Sequence, residues 1–308
     1  MTSPAVRIVD NRHRLRDAAA RLGRRLAPGL WEAGLRRRTR RTVARAQQII
    51  DGIIAGVTAR GAEFDRVEIE TISRCNNACE FCPVNRRVDP RPGRLMTEQL
   101  FDRVIGMLRD RRFSGGFALF SNNEPLLDSR IEDLAARARE ALPDAYHYLY
   151  TNGTLLTVDR FERLMPSLHH LTINNYDDDG RLLPTVRAVY EHAKAHLRSG
   201  AVDIHMRRRD ELLTTRAGTA PNRGPISPFE APCFLPFSQL IIRPDGKVSQ
   251  CCEDALGRAT LGDLSCQTLS EAWNSPERKA LQARIRRGRR AEDPLCRGCD
   301  TLDTDSTA

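Results

Sequence analysis

Cys75, Cys79 and Cys82 form a C-x3-C-x2-C run directly behind an apolar–polar alternation at residues 67–71, which reads as a half-buried strand. Three thiols on so tight a loop, with no fourth ligand beside them, constrain this chain more than any other feature. A structural zinc ion takes four protein ligands. A four-iron cluster held by three cysteines instead leaves one iron open to a small molecule. From the spacing alone, a zinc or redox loop remains open beside the cluster.

The segments around that loop alternate between strand and helix. Thr97 and Glu98 are placed to start a helix whose Leu100, Phe101, Val104, Ile105 and Leu108 make one apolar face. Further strands are predicted at 116–121, 146–151, 170–174 and 201–206, with helices at 131–141, 159–164 and 183–197. Repeated strand-then-helix units imply a parallel sheet, and their number suits an α/β fold built as an open, partial (β/α)6 barrel. Reactive residues in such sheets lie at the carboxyl ends of strands. The cysteine loop, Asn122–Glu124, Thr151–Gly153 and Asn174–Tyr176 all fall there.

Charge and cysteine usage narrow the class. Of the net charge of +9, residues 1–60 hold 14 Arg against 4 acidic residues. Leu15, Leu22, Leu26, Val43, Ile50, Ile53 and Ile54 fall at helical spacing between the arginines, so residues 1–65 read as an arginine-rich amphipathic extension packed on the main domain. A nucleic-acid-binding arm is the weaker reading of that charge. The chain has no apolar run of about 18 residues and no secretory leader, and a cytoplasmic enzyme is expected. Nine cysteines in a reducing compartment argue for metal binding or catalysis rather than disulfides.

Beyond residue 210 the pattern breaks into a Gly-, Pro- and Asn-containing linker, 211–232, and then changes character. Segments 239–243 and 247–251 flank Pro244-Asp245-Gly246, a hairpin signal, and one helix is predicted over 270–287. This region, 233–300, carries Cys233, Gly246-x4-Cys251 and Cys296-x2-Cys299. Residues 301–308 read as a frayed tail.

The cysteine loop, with Phe81 before its third cysteine, resembles that of the radical S-adenosylmethionine (SAM) superfamily. Ser121-Asn122-Asn123-Glu124-Pro125 follows the second strand of the core (66–210), where that family carries a Gly-Gly-Glu-Pro-like turn. Here both glycines are asparagines, whose tolerance of left-handed backbone is expected to preserve the turn. The C-terminal cysteines resemble the SPASM/twitch extension, which holds auxiliary iron–sulfur clusters.

The resemblance implies SAM and two [4Fe-4S] clusters as cofactors. Cys75, Cys79 and Cys82 would hold the first cluster, and Cys233, Cys251, Cys296 and Cys299 the second. The same four thiols would also suit zinc. The resemblance further implies Phe81 near the adenine, Asn123 in the SAM-binding turn and Glu124 on the SAM ammonium. Asn152 is placed to bond the ribose or the substrate, or simply to make a turn. Cys266 reads as an inert, partly buried thiol. Cys252 is either an alternative ligand to Cys251, a packing residue, or a hydrogen donor to a substrate radical. Asp177, Asp178 and Asp179 read as a solvated acidic loop or a substrate contact. Arg216, Asn222 and Arg223 of the linker are placed to line the cavity.

The favoured activity is epimerisation of a carbon in a sugar or aminocyclitol of natural-product (antibiotic) biosynthesis, with Cys252 as donor. Its partners would be that small molecule and a flavodoxin- or ferredoxin-type electron donor, with neither membrane nor nucleic acid. The nearest rival is dehydrogenation of a secondary alcohol. Peptide modification and a zinc-ribbon nucleic-acid-binding protein stand further off.

Overall fold

Five strands follow one another across a parallel sheet, each returning through a helix or a long loop. In the computed structural model, residues 6–10, 28–197, 200–228 and 230–301 are described, the side chains of 28–43 excepted. Leu15, Leu22 and Leu26, the side chain of Val43, and the tail beyond Thr301 therefore lie outside the described residues. The strands are β2 (Arg66–Ile69), β3 (Gly116–Ala118), β4 (Tyr146–Thr151), β5 (His170–Tyr176) and β6 (Val202–Arg207). Between them run α2 (Glu98–Asp110), α3 (Ile131–Ala141), α4 (Val158–Leu164) and α5 (Pro184–His196), after a long N-terminal helix α1 (Pro28–Ala59). Thr97 caps α2 as its position suggested, its hydroxyl accepting from Leu100 N at 3.2 Å.

Alternation along the strands sorts the two faces. Val67 and Ile69 of β2, Leu149 of β4, and Leu171 and Ile173 of β5 join Phe101, Val104, Leu108 and Leu134 of the helices in one buried core. The intervening residues face the concave side: Glu68 and Glu70, then Tyr148 and Tyr150, then Asn174 and Tyr176. A buried carboxylate is costly unless it is bonded, so that face is organised around polar contacts. Arg91 reaches Glu70 at 3.2 Å, and Tyr148 donates to Glu68 at 3.4 Å.

The flanks of the sheet differ from the expectation. β1 (Val6–Asp10) lies in the segment expected to be helical, yet it pairs parallel with β6, Val6 opposite Val202. Arg7 Nε donates to Asp203 at 2.9 Å, an ion pair that fixes this edge. At the other edge, β7 (Gln239–Ile242) runs parallel to β2, Arg66 opposite Gln239. It makes the anticipated hairpin with β8 (Lys247–Ser249), and β9 (Thr260–Asp263) follows antiparallel. Gly246 sits in the hairpin turn at φ +83°, where a side chain would be strained. The C-terminal region thus continues the sheet of the core. Among the described residues the order is β1-β6-β5-β4-β3-β2-β7-β8-β9.

A short α6 (Leu235–Ser238) leads into β7. The single helix predicted over 270–287 is two, α7 (Leu269–Trp273) and α8 (Pro276–Arg286). Pro276 cannot donate a backbone hydrogen bond, and Ser275 restarts the helix by accepting from Arg278 N at 3.3 Å. No described helix is long and apolar enough to cross a membrane.

Candidate functional site

The carboxyl ends of β2 to β5 open on one cavity of about 900 Å³. Cys75, Cys79, Cys82, Phe81, Asn123, Glu124 and Asn152 all line it. The structure therefore gathers into one chamber every residue expected at the first cluster and its cofactor.

The cysteine loop is fastened from within. Asn85 Nδ2 donates to the carbonyls of Cys79 (3.0 Å) and Cys82 (2.7 Å). Asn77 N points at Cys75 Sγ from 3.5 Å, and Asn152 Nδ2 stands 3.9 Å from the same sulfur. Burial pushes the Cys75 thiol up to about 12. Burial, then the neighbouring Cys82 and Cys75, raises Cys79 as well. Thiols so placed become thiolates only beside a compensating cation, as metal ligands do. The Nδ2 of Asn123 is a buried donor without a partner on the cavity wall, suited to an acceptor oxygen of a bound cofactor. The residues present therefore fit a cluster and SAM.

Glu124 is 2 % exposed and largely committed within the protein. Its Oε1 accepts from Thr151 Oγ1 (2.7 Å) and Leu126 N (3.1 Å), and its Oε2 from Asn152 N (2.7 Å). Burial raises its carboxyl, against the pull of these donors. A carboxylate offers about four lone-pair positions, so a single one, on Oε2, remains for an ammonium group. Glu124 also locks the end of β4 to the end of β3, and so sets Asn152. The turn role of Asn152-Gly153 is real too. Gly153 has φ +73°, and a Cβ there would lie 2.6 Å from Val186 Cγ2.

The two asparagines do not act by the expected backbone route. The positive-φ non-glycine residues among those described are Arg112, Arg216 and Ala217, so Asn122 and Asn123 keep ordinary geometry. Their side chains matter instead. Asn122 Nδ2 donates to the carbonyl of Cys252 at 3.0 Å, and its Oδ1 accepts from Arg216. Its backbone N–H donates to Glu70 at 2.9 Å. Two glycines could not make this bridge between the core, the linker and the C-terminal region.

The linker supplies the roof. Arg216 and Arg223 line the cavity with Glu253, Asp300 and Leu213. Arg216 faces Glu253 at 3.6 Å, and Thr214 Oγ1 donates to Glu253 at 3.1 Å. Arg223 pairs with Asp300 at 2.8 Å. Asn222 is not on the wall; its amide donates to Glu211 O at 2.9 Å. The aspartates of 177–179 also lie off the wall, with Asp178 paired to Arg209 at 2.6 Å. Sequence reasoning missed Glu253, which lies next to Cys252, as well as the side-chain role of Asn122. Phe120 and Tyr150, stacked with centroids 4.6 Å apart, were also missed, although the alternation of aromatic residues in β4 signals such a wall.

The second cysteine set lies beyond Asn122. Cys251, Cys233, Cys252 and Cys296 pack with Phe234, Leu235, Phe237, Leu281 and Ile285. Burial raises the Cys251 thiol, followed by Cys252, Cys233, Cys299 and Cys296, so Cys251 is an electrostatic neighbour of the other three expected ligands. Cys252 answers to burial, then to Glu253, Glu68, Arg216 and, of those ligands, Cys233. Cys252 is not on the cavity wall. Cys266 is exposed rather than partly buried, because the loop after β9 carries it to the surface.

Comparison with known proteins agrees with this division. Residues 69–198 match the family model of the radical SAM superfamily, and residues 233–300 that of the SPASM iron–sulfur cluster-binding domain. A similar curated protein is the S-adenosyl-L-methionine-dependent 2-deoxy-scyllo-inosamine dehydrogenase of Niallia circulans. It is 24% identical over 250 residues, covering 78% of this chain and 94% of the relative. Among solved structures, BtrN in complex with AdoMet and 2-DOIA superimposes with a TM-score of 0.66 at 23% identity, over 77% of this chain and 93% of that one. BtrN in an open conformation gives 0.58 at 20%, over 77% and 92%. These likenesses bear on the fold. SAM and a [4Fe-4S] cluster are the cofactors of the core, with further iron–sulfur in the C-terminal domain. The chain is a radical SAM enzyme, with a radical SAM domain over residues 69–198 and a SPASM iron–sulfur cluster-binding domain over residues 233–300.

Proposed function

We propose that this enzyme dehydrogenates a secondary alcohol of an aminocyclitol or related sugar-like molecule in antibiotic biosynthesis. The observation that carries this reading is the position of Cys252. A hydrogen donor must reach the substrate carbon, and Cys252 lies off the cavity wall, among the apolar neighbours of the other C-terminal cysteines. The N. circulans relative, a dehydrogenase of an inosamine, supports the same choice. When bound, the cofactors supply a 5′-deoxyadenosyl radical as hydrogen acceptor and an auxiliary cluster as one-electron acceptor. Cys75, Cys79 and Cys82 would hold the first cluster, and Cys233, Cys251, Cys296 and Cys299 the second.

The residues of the roof do the rest. Glu253 and Asp300 offer carboxylates to an ammonium or hydroxyl, while Arg216 and Arg223 offer donors to hydroxyl oxygens. Removing an alcohol's carbon-bound hydrogen and one electron leaves a hydroxyl proton to be lost. Glu253 Oε1, already facing the Arg216 cation, is the group placed to take it. Phe81, 5.9 Å from Tyr176, offers an aromatic face to the adenine, and Asn123 and Glu124 hold the polar end of SAM.

Epimerisation is the second reading. Cys252 is the spare thiol of its set, and Arg216 and Glu253, its electrostatic neighbours, are cavity residues. Incubation with a panel of aminocyclitols under reducing, anaerobic conditions separates the two. A product two hydrogens lighter, with one 5′-deoxyadenosine per turnover, supports dehydrogenation. A product of unchanged mass and inverted configuration contradicts it.

A further inference from the structure

Arg278 and Arg290 are the two largest fully buried side chains, at 0 % and 1 % exposure, and both lie beside the C-terminal thiols. Arg290 donates to the carbonyls of Cys299 (3.2 Å) and Thr301 (3.1 Å). Arg278 is the stranger of the two. Its Nε and Nη2 are buried with no hydrogen-bond partner, and its Nη1 reaches only Pro236 O, at 3.5 Å. Its guanidinium lies 4.5 Å from the centroid of the Trp273 ring. No carboxylate pairs with it among the described residues. The acids beside the C-terminal thiols have other cations: Asp293 has Arg284 at 3.1 Å, and Glu253 has Arg216.

An arginine cannot escape such a site by losing its proton at neutral pH. Burial lowers its pKa only to about 10, against the opposing charge of Cys251. A buried cation without a counter-ion costs several kcal/mol. Cation–π contact with Trp273 offsets part of that cost. The place of Arg278 within α8 sets it on the helix that meets the C-terminal cysteines. Arg278, Leu281 and Ile285 recur at helical spacing, and Leu281 and Ile285 pack in the same cluster as Cys251 and Cys296.

We propose that Arg278 is the counter-charge of the auxiliary cluster and raises its reduction potential, fitting it to accept an electron from the substrate radical. The inference rests on the four-thiolate ligand set. Four thiolates on an oxidised four-iron core leave a net charge of −2, and taking up one electron makes it −3. A fixed cation in a low-dielectric site stabilises the more negative form more strongly. Arg278 is a positioning residue for charge, and does not touch the substrate.

The test uses anaerobically reconstituted full-length enzyme in which Cys75, Cys79 and Cys82 are replaced by Ala, so that the auxiliary cluster is titrated alone. Arg278→Met is expected to lower the ratio of reduced to oxidised cluster at a fixed poise about tenfold, or about 59 mV for a one-electron couple. Arg278→Lys, which keeps the charge, stays close to the parent. Melting supplies a second readout. Without iron, Arg278→Met melts above the parent because an uncompensated buried charge has gone; with iron that advantage disappears. Loss of auxiliary iron in Arg278→Met but not in Arg278→Lys shows the same charge dependence. An unchanged ratio in Arg278→Met, or equal destabilisation with and without iron, overturns the proposal and leaves Arg278 as a packing residue. If the parent holds no auxiliary cluster at all, the four-thiolate ligand set is what fails.

Discussion

The side-chain amide of Asn122 donates to the backbone carbonyl of Cys252 at 3.0 Å, joining the turn after β3 to the strand end that carries the C-terminal cysteines. Asn122 is 3 % exposed, and its carbonyl accepts from Arg91 at 2.9 Å. The second cysteine set is therefore tied directly to the turn expected to hold SAM. Asn122→Gly restores the residue usual in the family and removes the bridge. It should cost about 1–3 kcal/mol, the loss expected for buried polar partners left unpaired. Chemical denaturation checks this, and a loss below about 0.5 kcal/mol would mean the bridge is unimportant.

Iron content should divide in two. Replacing Cys75, Cys79 and Cys82 by Ala should remove about half the iron and abolish SAM cleavage, leaving the C-terminal cluster in place. Replacing Cys251 by Ala should remove the other half. Cys252→Ala should keep both clusters, because the charges of Cys233, Cys299 and Cys296 all act on Cys251, whereas Cys252 answers first to Glu253, Glu68 and Arg216. Iron and sulfide analysis of anaerobic protein gives the answer; stoichiometric zinc without sulfide would sink the assignment.

Glu124 has two duties, which two substitutions separate. Glu124→Ala abolishes the acceptors of Thr151, Leu126 and Asn152 and should both destabilise the fold and displace Asn152. Glu124→Gln keeps the shape and an acceptor oxygen for Thr151 and Leu126, but removes the charge facing an ammonium and sets an NH2 group against Asn152 N. It should weaken SAM binding about tenfold with near-normal iron content. Equal SAM affinity in Glu124→Gln and the parent would confine Glu124 to its structural duty.

Stability should fall with acid through His147. This residue is 2 % exposed, stacks obliquely on Phe117 with centroids 5.2 Å apart, and is lowered in pKa chiefly by burial. The unfolded chain takes up a proton as the pH drops through about 6.5 while the folded chain does not. Stability is then full above that pH and declines by up to about 1.4 kcal/mol per unit below it. His147→Phe should flatten this part of the profile. An unaltered slope would place the acid sensitivity elsewhere, with His169 and His205, also lowered by burial, as the next groups to vary.

Much of the sheet was legible because its strands obey a simple period. The segment 146–151 matches β4 residue for residue, and Thr97 announced α2 by a local hydrogen bond. What escaped was non-local. β1 is five residues of unremarkable sequence whose pairing partner, β6, lies almost 200 positions away. β7 read correctly as half of a hairpin, but its other neighbour, β2, is invisible to local pattern. The site followed the same division. The cysteines, Glu124 and Asn152 are chemically conspicuous, and each ends a predicted strand. Asn122 was read for its backbone tolerance when its side chain was the point, since its partners Cys252 and Arg216 come from distant segments. The break at Pro276 and the aromatic alternation of β4 were the local signals overlooked.

Dehydrogenation is the central claim, and the fate of hydrogen at the reacting carbon tests it most directly. The substrate would carry deuterium at that carbon, and the reaction would be run in ordinary water and, unlabelled, in heavy water. We expect one deuterium to appear in 5′-deoxyadenosine, the product to be a ketone, and no solvent deuterium to be fixed at that carbon during turnover, once exchange beside the carbonyl is accounted for. Cys252→Ala should behave like the parent. An alcohol of inverted configuration carrying one solvent deuterium, lost in Cys252→Ala, would contradict the account and identify an epimerase.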